Sequence, residues 1–205
     1  MSFLLMNLLQ LITYSGTFVF ALTGALKAKA FKMDIFGAAV LAFVTAYGGG
    51  TVRDLLIGVR PVNWVNDYLA LFLVVAAVLM TFLFAGRVHK LRKVIFVTDA
   101  IGIGLFTVAG IQVSLQNNLN NIYAIVMGVI SATFGGLIAD VLSNNVPDLL
   151  KRGELYATAS LVGGIAYSFL LKNNVDHDIG LTITVIMIVT IRIISKIKRL
   201  TLPDI

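Results

Sequence analysis

Two stretches decide the fold: AYGGGTVRDLLIG (residues 46–58) and ATFGGLIADVLSN (132–144). They are related by a shift of 86 residues. Gly49 and Gly50 fall on Gly135 and Gly136, Asp54 on Asp140, Leu56 on Leu142, and further on Pro61 falls on Pro147. The match extends outward without a gap, since Gly16, Phe20 and Gly24 fall on Gly102, Phe106 and Gly110. Glycine, proline and aspartate are costly inside apolar helices, so their coincidence is not a product of composition.

The surroundings of both stretches are apolar. Of 205 residues 59% are hydrophobic and 13% are charged, and 18 more are glycine. An average soluble domain carries roughly 25% charged residues. Mean hydropathy is +0.95. A soluble domain has no way to bury that much apolar surface, so the chain reads as an integral membrane protein. At about 20 residues per span, the apolar content makes about seven helices. The spans fall at roughly 4–26, 34–57, 68–86, 94–115, 122–145, 154–172 and 178–197. No Lys or Arg precedes the first apolar run, so it is not expected to be a cleaved signal. The chain reads as one transmembrane domain over 1–205, all-α, with repeats at about 4–86 and 90–172 and a seventh helix outside them. Three helices per repeat is an odd number, so the second copy enters the membrane upside down, as in many transporters and some channels.

Thirteen of the 16 basic residues gather on one side when seven helices alternate, among them Lys27, Lys29, Lys32, Arg87–Lys93, Lys151, Arg152 and the cluster from Arg192 to Arg199. The positive-inside rule then predicts the N-terminus outside and the C-terminus in the cytoplasm. Most of the net charge of +6 is thus a topology signal. The Arg87–Lys93 segment is also a candidate for lipid headgroups. Cysteine is absent, His89 and His177 are far apart, and neither HExxH nor a phosphate-binding loop occurs. Nothing here calls for a metal, a cofactor, a nucleic acid or an enzyme's nucleophile–base pair.

Ala38, Ala42, Ala46 and Gly50 form a small-residue stripe at i+4, and Ala124, Gly128, Ala132 and Gly136 form its repeat copy. Such stripes let helix backbones approach closely. The clusters Gly48–Gly49–Gly50 and Gly135–Gly136 predict kinks or unwound turns in helices 2 and 5. Backbone freed at membrane depth is tolerated only against protein or a water-filled cavity, and there its carbonyls replace part of a cation's hydration shell. Arg53, Asp54 and Asp140 follow the kinks, and intramembrane charges read first as functional or paired. Asp99 either reaches the surface to pair with Lys93 or lines the pathway. Arg192 is expected to snorkel. Trp64 and Tyr68 read as interfacial aromatics, and Asp176–His177–Asp178 as a polar loop. Read alone, the residues leave open a cation pathway, a transporter of a small zwitterion, and a scaffold.

AYGGGTVRDLLIGVRPVNW (46–64) resembles the signature of the bacterial glycine-transporter-domain family, which is similar to the trimeric intracellular cation (TRIC) channels. TDAIGIGLFTVAG (98–110), GGLIADVLSNNVP (135–147) and GELYATASLVGG (153–164) resemble its second half. The resemblance implies seven membrane helices in two inverted repeats plus one, a homotrimer, and a monovalent-cation pathway, chiefly for potassium, inside each protomer. It places the kinks at Gly48–Gly50 and Gly135–Gly136, with Arg53 and Asp54 as the charged pair after the first. On this reading selectivity comes from kink carbonyls, the hydroxyls of Thr45, Thr51, Ser131 and Thr133, and the acids Asp54, Asp140 and Asp99. Phe43 and Val129, equivalent in the repeat, form a candidate apolar constriction. Two departures stand out. Thr13 replaces an acid often found in the first repeat, where Asp99 keeps it in the second. Phe134 and Ala139 replace a glycine and an arginine at the second kink. The implied function is a potassium-permeable channel in a bacterial inner membrane. The alternative is a secondary transporter of glycine or a similar zwitterion.

Overall fold

A computed structural model describes residues 8–84, 91–151 and 155–202. Arg87, Lys90 and Arg152, counted above for topology, and His89 lie outside the described residues. Seven α-helices follow in order: α1 Leu8–Ala30, α2 Ile35–Ile57, α3 Tyr68–Phe84, α4 Leu91–Gln116, α5 Asn121–Leu142, α6 Ala157–Lys172 and α7 His177–Lys198. A 3-10 turn over Asp148–Leu150 precedes α6. Five of the helices, 22 to 26 residues long, are long and apolar enough to cross a membrane. At 1.5 Å per residue each reaches about 33–39 Å, against a hydrocarbon core of about 30 Å. α3 and α6, with 17 and 16 residues, are shorter apolar helices.

Helix ends repeat with the same period. Asp34 caps α2 by accepting from the Gly37 N–H at 2.7 Å, and Asn120, 86 residues on, caps α5 by accepting from the Tyr123 N–H at 3.1 Å. A capping side chain of this kind satisfies one of the orphan N–H groups of the first turn. Lys32 and Asn118 turn the chain into these caps with φ of 58° and 62°. Gly58 and Asn144 leave the two helices with φ of 78° and 50°. These are the left-handed values that glycine and asparagine adopt most cheaply.

α4 is the most enclosed helix, and α1, α2, α4 and α5 form the inner bundle. α3 and α6 lie at the rim, where Phe72, Leu79, Phe82, Ile165 and Phe169 are exposed. In lipid the apolar surface itself supplies little drive for helix association, so close packing of small residues must supply it. Ala21, Ala25, Ala42, Ala124 and Ala132 are each fully buried.

At the centre, residues 86 apart make reciprocal contacts. The Phe20 and Phe106 rings stack with centroids 5.1 Å apart. A methyl on Gly16 would strike Phe106, and one on Gly102 would strike Phe20. A methyl on Gly49 would run into the Ser131 carbonyl, and one on Gly135 into the Thr45 carbonyl. Both glycine clusters lie within unbroken α-helix. Of the kink or unwound turn expected at each cluster, the unwound turn is absent. These glycines let α2 and α5 cross with backbone against backbone.

Candidate functional site

The α2–α5 crossing separates two cavities at opposite ends of α1. Thr13 lines the first and Lys27 the second, 14 residues apart, or about 21 Å of helix rise. The first cavity, about 260 Å³, is lined by Arg53, Asp54, Tyr47, Trp64, Asp67 and others. The second, about 580 Å³, is lined by Lys27, Asp99, Asp140, Asp148, Lys151, Arg192 and others.

In the first cavity Asp54 is 1% exposed and is held on both oxygens. Arg53 donates to its Oδ1 through Nε at 2.9 Å and Nη2 at 2.7 Å. The Asn63 backbone N–H donates to its Oδ2 at 2.9 Å, tying the loop after α2 to the helix. Arg53 also reaches across the crossing, where Nη1 donates to Ser131 Oγ at 3.2 Å. One guanidinium thus links a carboxylate of α2 to a hydroxyl of α5. Burial makes such a link costly to break, because removing either partner leaves the other charge buried and uncompensated.

Asp140 repeats this arrangement with a different cation. The Asp148 backbone N–H donates to Oδ2 at 2.9 Å, as Asn63 does to Asp54. Ala139 stands where Arg53 stands in the first repeat, and the missing charge comes from α1. Lys27 Nζ donates to Asp140 Oδ1 at 2.7 Å and lies 3.6 Å from Asp148 Oδ2. Asp148 sits in the 3-10 turn outside the helices. Burial alone would raise its carboxyl, but the hydrogen bond from Lys151 and the nearby charge of Lys27 outweigh that and hold it below the ordinary value.

Asp99 does not reach the surface to pair with Lys93. It is 3% exposed, lines the second cavity, and accepts from Arg192 Nη2 at 3.0 Å and from the Tyr156 hydroxyl at 3.0 Å. Arg192 does not snorkel either. It is buried, with its Cζ 4.5 Å from the Tyr156 ring centroid and 5.0 Å from that of Phe96. Pairing with Asp99 and the two ring faces replace the water it gives up.

The expected hydroxyls behave differently from one another. Thr45 and Thr133 donate to carbonyls four residues back in their own helices. Ser131 meets Arg53, and Thr51 accepts from Trp64 Nε1 at 2.9 Å. Of the glycines, Gly48 faces Gly135, Gly136 faces the Tyr156 hydroxyl, and Gly50 opens on the first cavity. Phe43 packs edge-on to Tyr47 and Trp64, whereas Val129 lines a separate groove with Val126, Ala157 and Leu161. Trp64 packs against Phe43 and Tyr47 and lines the first cavity. Asp176 caps α7, and His177 Nδ1 meets Tyr167 and Gln112.

Lys27, Arg192 and Tyr156 are the site residues that sequence reading missed. Helix phase carries the signal for the first two. Gly16, Phe20, Gly24 and Lys27 share one buried face of α1, and Leu181, Thr184, Ile188 and Arg192 share one of α7.

A family model described as "Glycine transporter" matches this chain twice, over residues 10–85 and 96–172. The UPF0126 membrane protein of Vibrio cholerae is 40% identical over 198 residues, 96% of this chain and 82% of that protein. The inner membrane protein YadS of Escherichia coli K12 is 36% identical over 178 residues, 84% of this chain and 86% of that one. Among solved structures, the TRIC trimeric intracellular cation channel orthologue from Rhodobacter sphaeroides superposes with a TM-score of 0.90 at 34% identity, covering 95% of this chain and all of that one. A prokaryotic TRIC channel crystallised in 0.5 M KCl gives 0.86 at 31% identity, over 95% of this chain and 98% of that one. With both halves matched by the family model, and relatives well above 30% identity along most of its length, the chain belongs to the bacterial glycine-transporter-domain family, the prokaryotic branch of the TRIC family.

Proposed function

We propose that this protein is a potassium-permeable monovalent-cation channel. Each protomer carries its own pathway, running from the Arg53 cavity to the Lys27 cavity past the α2–α5 crossing. The observation that carries this reading is the pair of charged cavities at opposite ends of one glycine-lined crossing. The likeness to solved TRIC cation channels supports it. The pathway is taken to pass Asp54 and Asp140, the hydroxyls of Ser131 and Thr51, and Asp99 in the wider cavity.

In the conformation described, the Arg53 bridge from Asp54 to Ser131 lies between the cavities and closes the way from one to the other. Opening is then a bend of α2 and α5 at their glycines that draws Arg53 away from Ser131. The two halves insert in opposite senses about a pseudo-two-fold axis through the Phe20–Phe106 stack. Three chains associate in a bacterial inner membrane, with the C-terminus and the Lys27 cavity toward the cytoplasm. No step in this reading needs catalysis or a cofactor.

A second reading has one observation in its favour. The Arg53 cavity places a guanidinium and the Asp67 carboxylate around one space, as binding of a zwitterion such as glycine requires. The family model's description points the same way. Purified protein in planar bilayers separates the two readings. Unitary currents that reverse near the potassium potential support the channel. Electrical silence together with glycine uptake into proteoliposomes overturns it in favour of the transporter.

A further inference from the structure

The first cavity has a feature that the pathway does not use. Tyr47 is 6% exposed, it lines the cavity, and its hydroxyl is buried without a hydrogen-bond partner. Leaving a buried hydroxyl unsatisfied is costly, so such a group calls for an occupant. The charges around it do not cancel. Arg53 is neutralised by Asp54, but Asp67 has no ion-pair partner among the described residues. Asp67 Oδ1 accepts from the Ala70 N–H at 3.0 Å, capping α3, the Tyr14 hydroxyl hydrogen-bonds the same carboxylate, and its charge also acts on Tyr47. The cavity therefore carries one uncompensated negative charge. The Thr17 side chain, 2% exposed, and the rings of Tyr47 and Trp64 complete the wall.

Oxygen donors from a carboxylate and a hydroxyl, beside electron-rich ring faces, suit a single positive charge of modest size. They do not suit a divalent ion, which takes more carboxylates, and no cluster of three acidic or histidine ligands occurs among the described residues.

We propose that Tyr47, Asp67 and Thr17 form a discrete binding site for one singly charged cation of potassium or ammonium size. The ion is either free or the ammonium end of a small zwitterion. The site deepens the channel reading and rests on it for its use, as the point where an ion sheds part of its water before the crossing.

Trp64 is the chain's single tryptophan and lines this cavity, so it reports on the site directly. Thallium(I), a heavy ion of potassium size, quenches indole fluorescence. Purified protein in N-methylglucamine nitrate is titrated with thallium nitrate at constant ionic strength, and then with potassium nitrate or glycine as competitor. Saturable quenching is expected. Asp67→Asn raises the half-saturating concentration about tenfold, as loss of one charged ligand implies. Tyr47→Phe, which removes only the hydroxyl and keeps the ring, raises it several-fold.

Displacement by potassium alone assigns the site to the free ion, and displacement by glycine assigns it to the ammonium group. Quenching that climbs linearly and is the same in both variants is collisional and overturns the proposal. Bilayer currents from the same preparation test the channel reading separately. Currents without saturable quenching remove the site and leave the channel. Saturable quenching without currents does the reverse.

Discussion

Lys27 of α1 and Asp140 of α5, 113 residues apart, meet in a buried ion pair with Nζ and Oδ1 2.7 Å apart. This lysine supplies in the second half the charge that Arg53 supplies in the first, so two acids at equivalent positions are held by cations of different origin. Removing one partner of a buried pair costs about 3–5 kcal/mol, because the other charge is left desolvated. Lys27→Met is therefore expected to lower the melting temperature in detergent sharply. The double variant Lys27→Met/Asp140→Asn should recover most of the loss. A double variant no more stable than the single would show that the pair is not what holds α1 to α5.

Gly49 and Gly135 each lie against a carbonyl of the opposite helix, which cannot swing away as a side chain can. Gly49→Ala and Gly135→Ala should each cost about 1–3 kcal/mol by overpacking, and by similar amounts. Gly50→Ala is the control. Its nearest neighbour would be Arg53 Nη2 at 3.8 Å, so it should be neutral, or gain up to about 1 kcal/mol of helix propensity. Thermal unfolding followed by circular dichroism separates the three.

The fold was largely legible because its information is periodic. The 86-residue repeat carries the caps Asp34 and Asn120, the exits Gly58 and Asn144, and the Phe20–Phe106 stack, all at equivalent positions. Gly49 and Gly135 are legible as a matched pair, but the carbonyl that each one faces is not. A glycine pair in an apolar helix reads equally as a kink or as a close crossing, and only the position of the facing carbonyl decides. The charged site was legible in part. Arg53 and Asp54 are neighbours in sequence and pair in space. Lys27 and Arg192 were counted as surface charges, since loop-flanking lysines and arginines usually are. Helix phase puts both on buried faces, but it does not name their partners, which lie 113 and 93 residues away.

Neutralising the two members of the Arg53–Asp54 pair should act in opposite directions on ion selectivity. Asp54→Asn leaves the guanidinium uncompensated beside the pathway. The potassium-to-chloride permeability ratio, read from reversal potentials under a KCl gradient, should fall by roughly tenfold, about 1.4 kcal/mol of repulsion. Arg53→Gln should raise potassium conductance or open probability. Equal effects of the two variants would place the pair away from the pathway.

Asp148 gives the protein an acid limit. Its carboxyl is held below the ordinary value in the folded state, where the Lys151 hydrogen bond and the charge of Lys27 outweigh burial. A depressed carboxyl contributes stability above its unfolded value of about 3.9, and that stability is lost as pH falls through the lower folded value. The melting temperature should therefore drop below about pH 4. Lys151→Met removes the hydrogen bond and should move that drop to higher pH, whereas Asp148→Asn should flatten it. An unchanged acid limb in both variants would assign it to other carboxylates.

The central claim is that a cation crosses each protomer between the Arg53 and Lys27 cavities. Single-channel recording of purified protein in planar bilayers tests it most directly, under a KCl gradient with and without glycine. The expected result is discrete currents that reverse near the potassium potential, are indifferent to glycine, and shift toward chloride in Asp54→Asn. The contradicting result is a silent bilayer from a preparation that accumulates glycine in proteoliposomes.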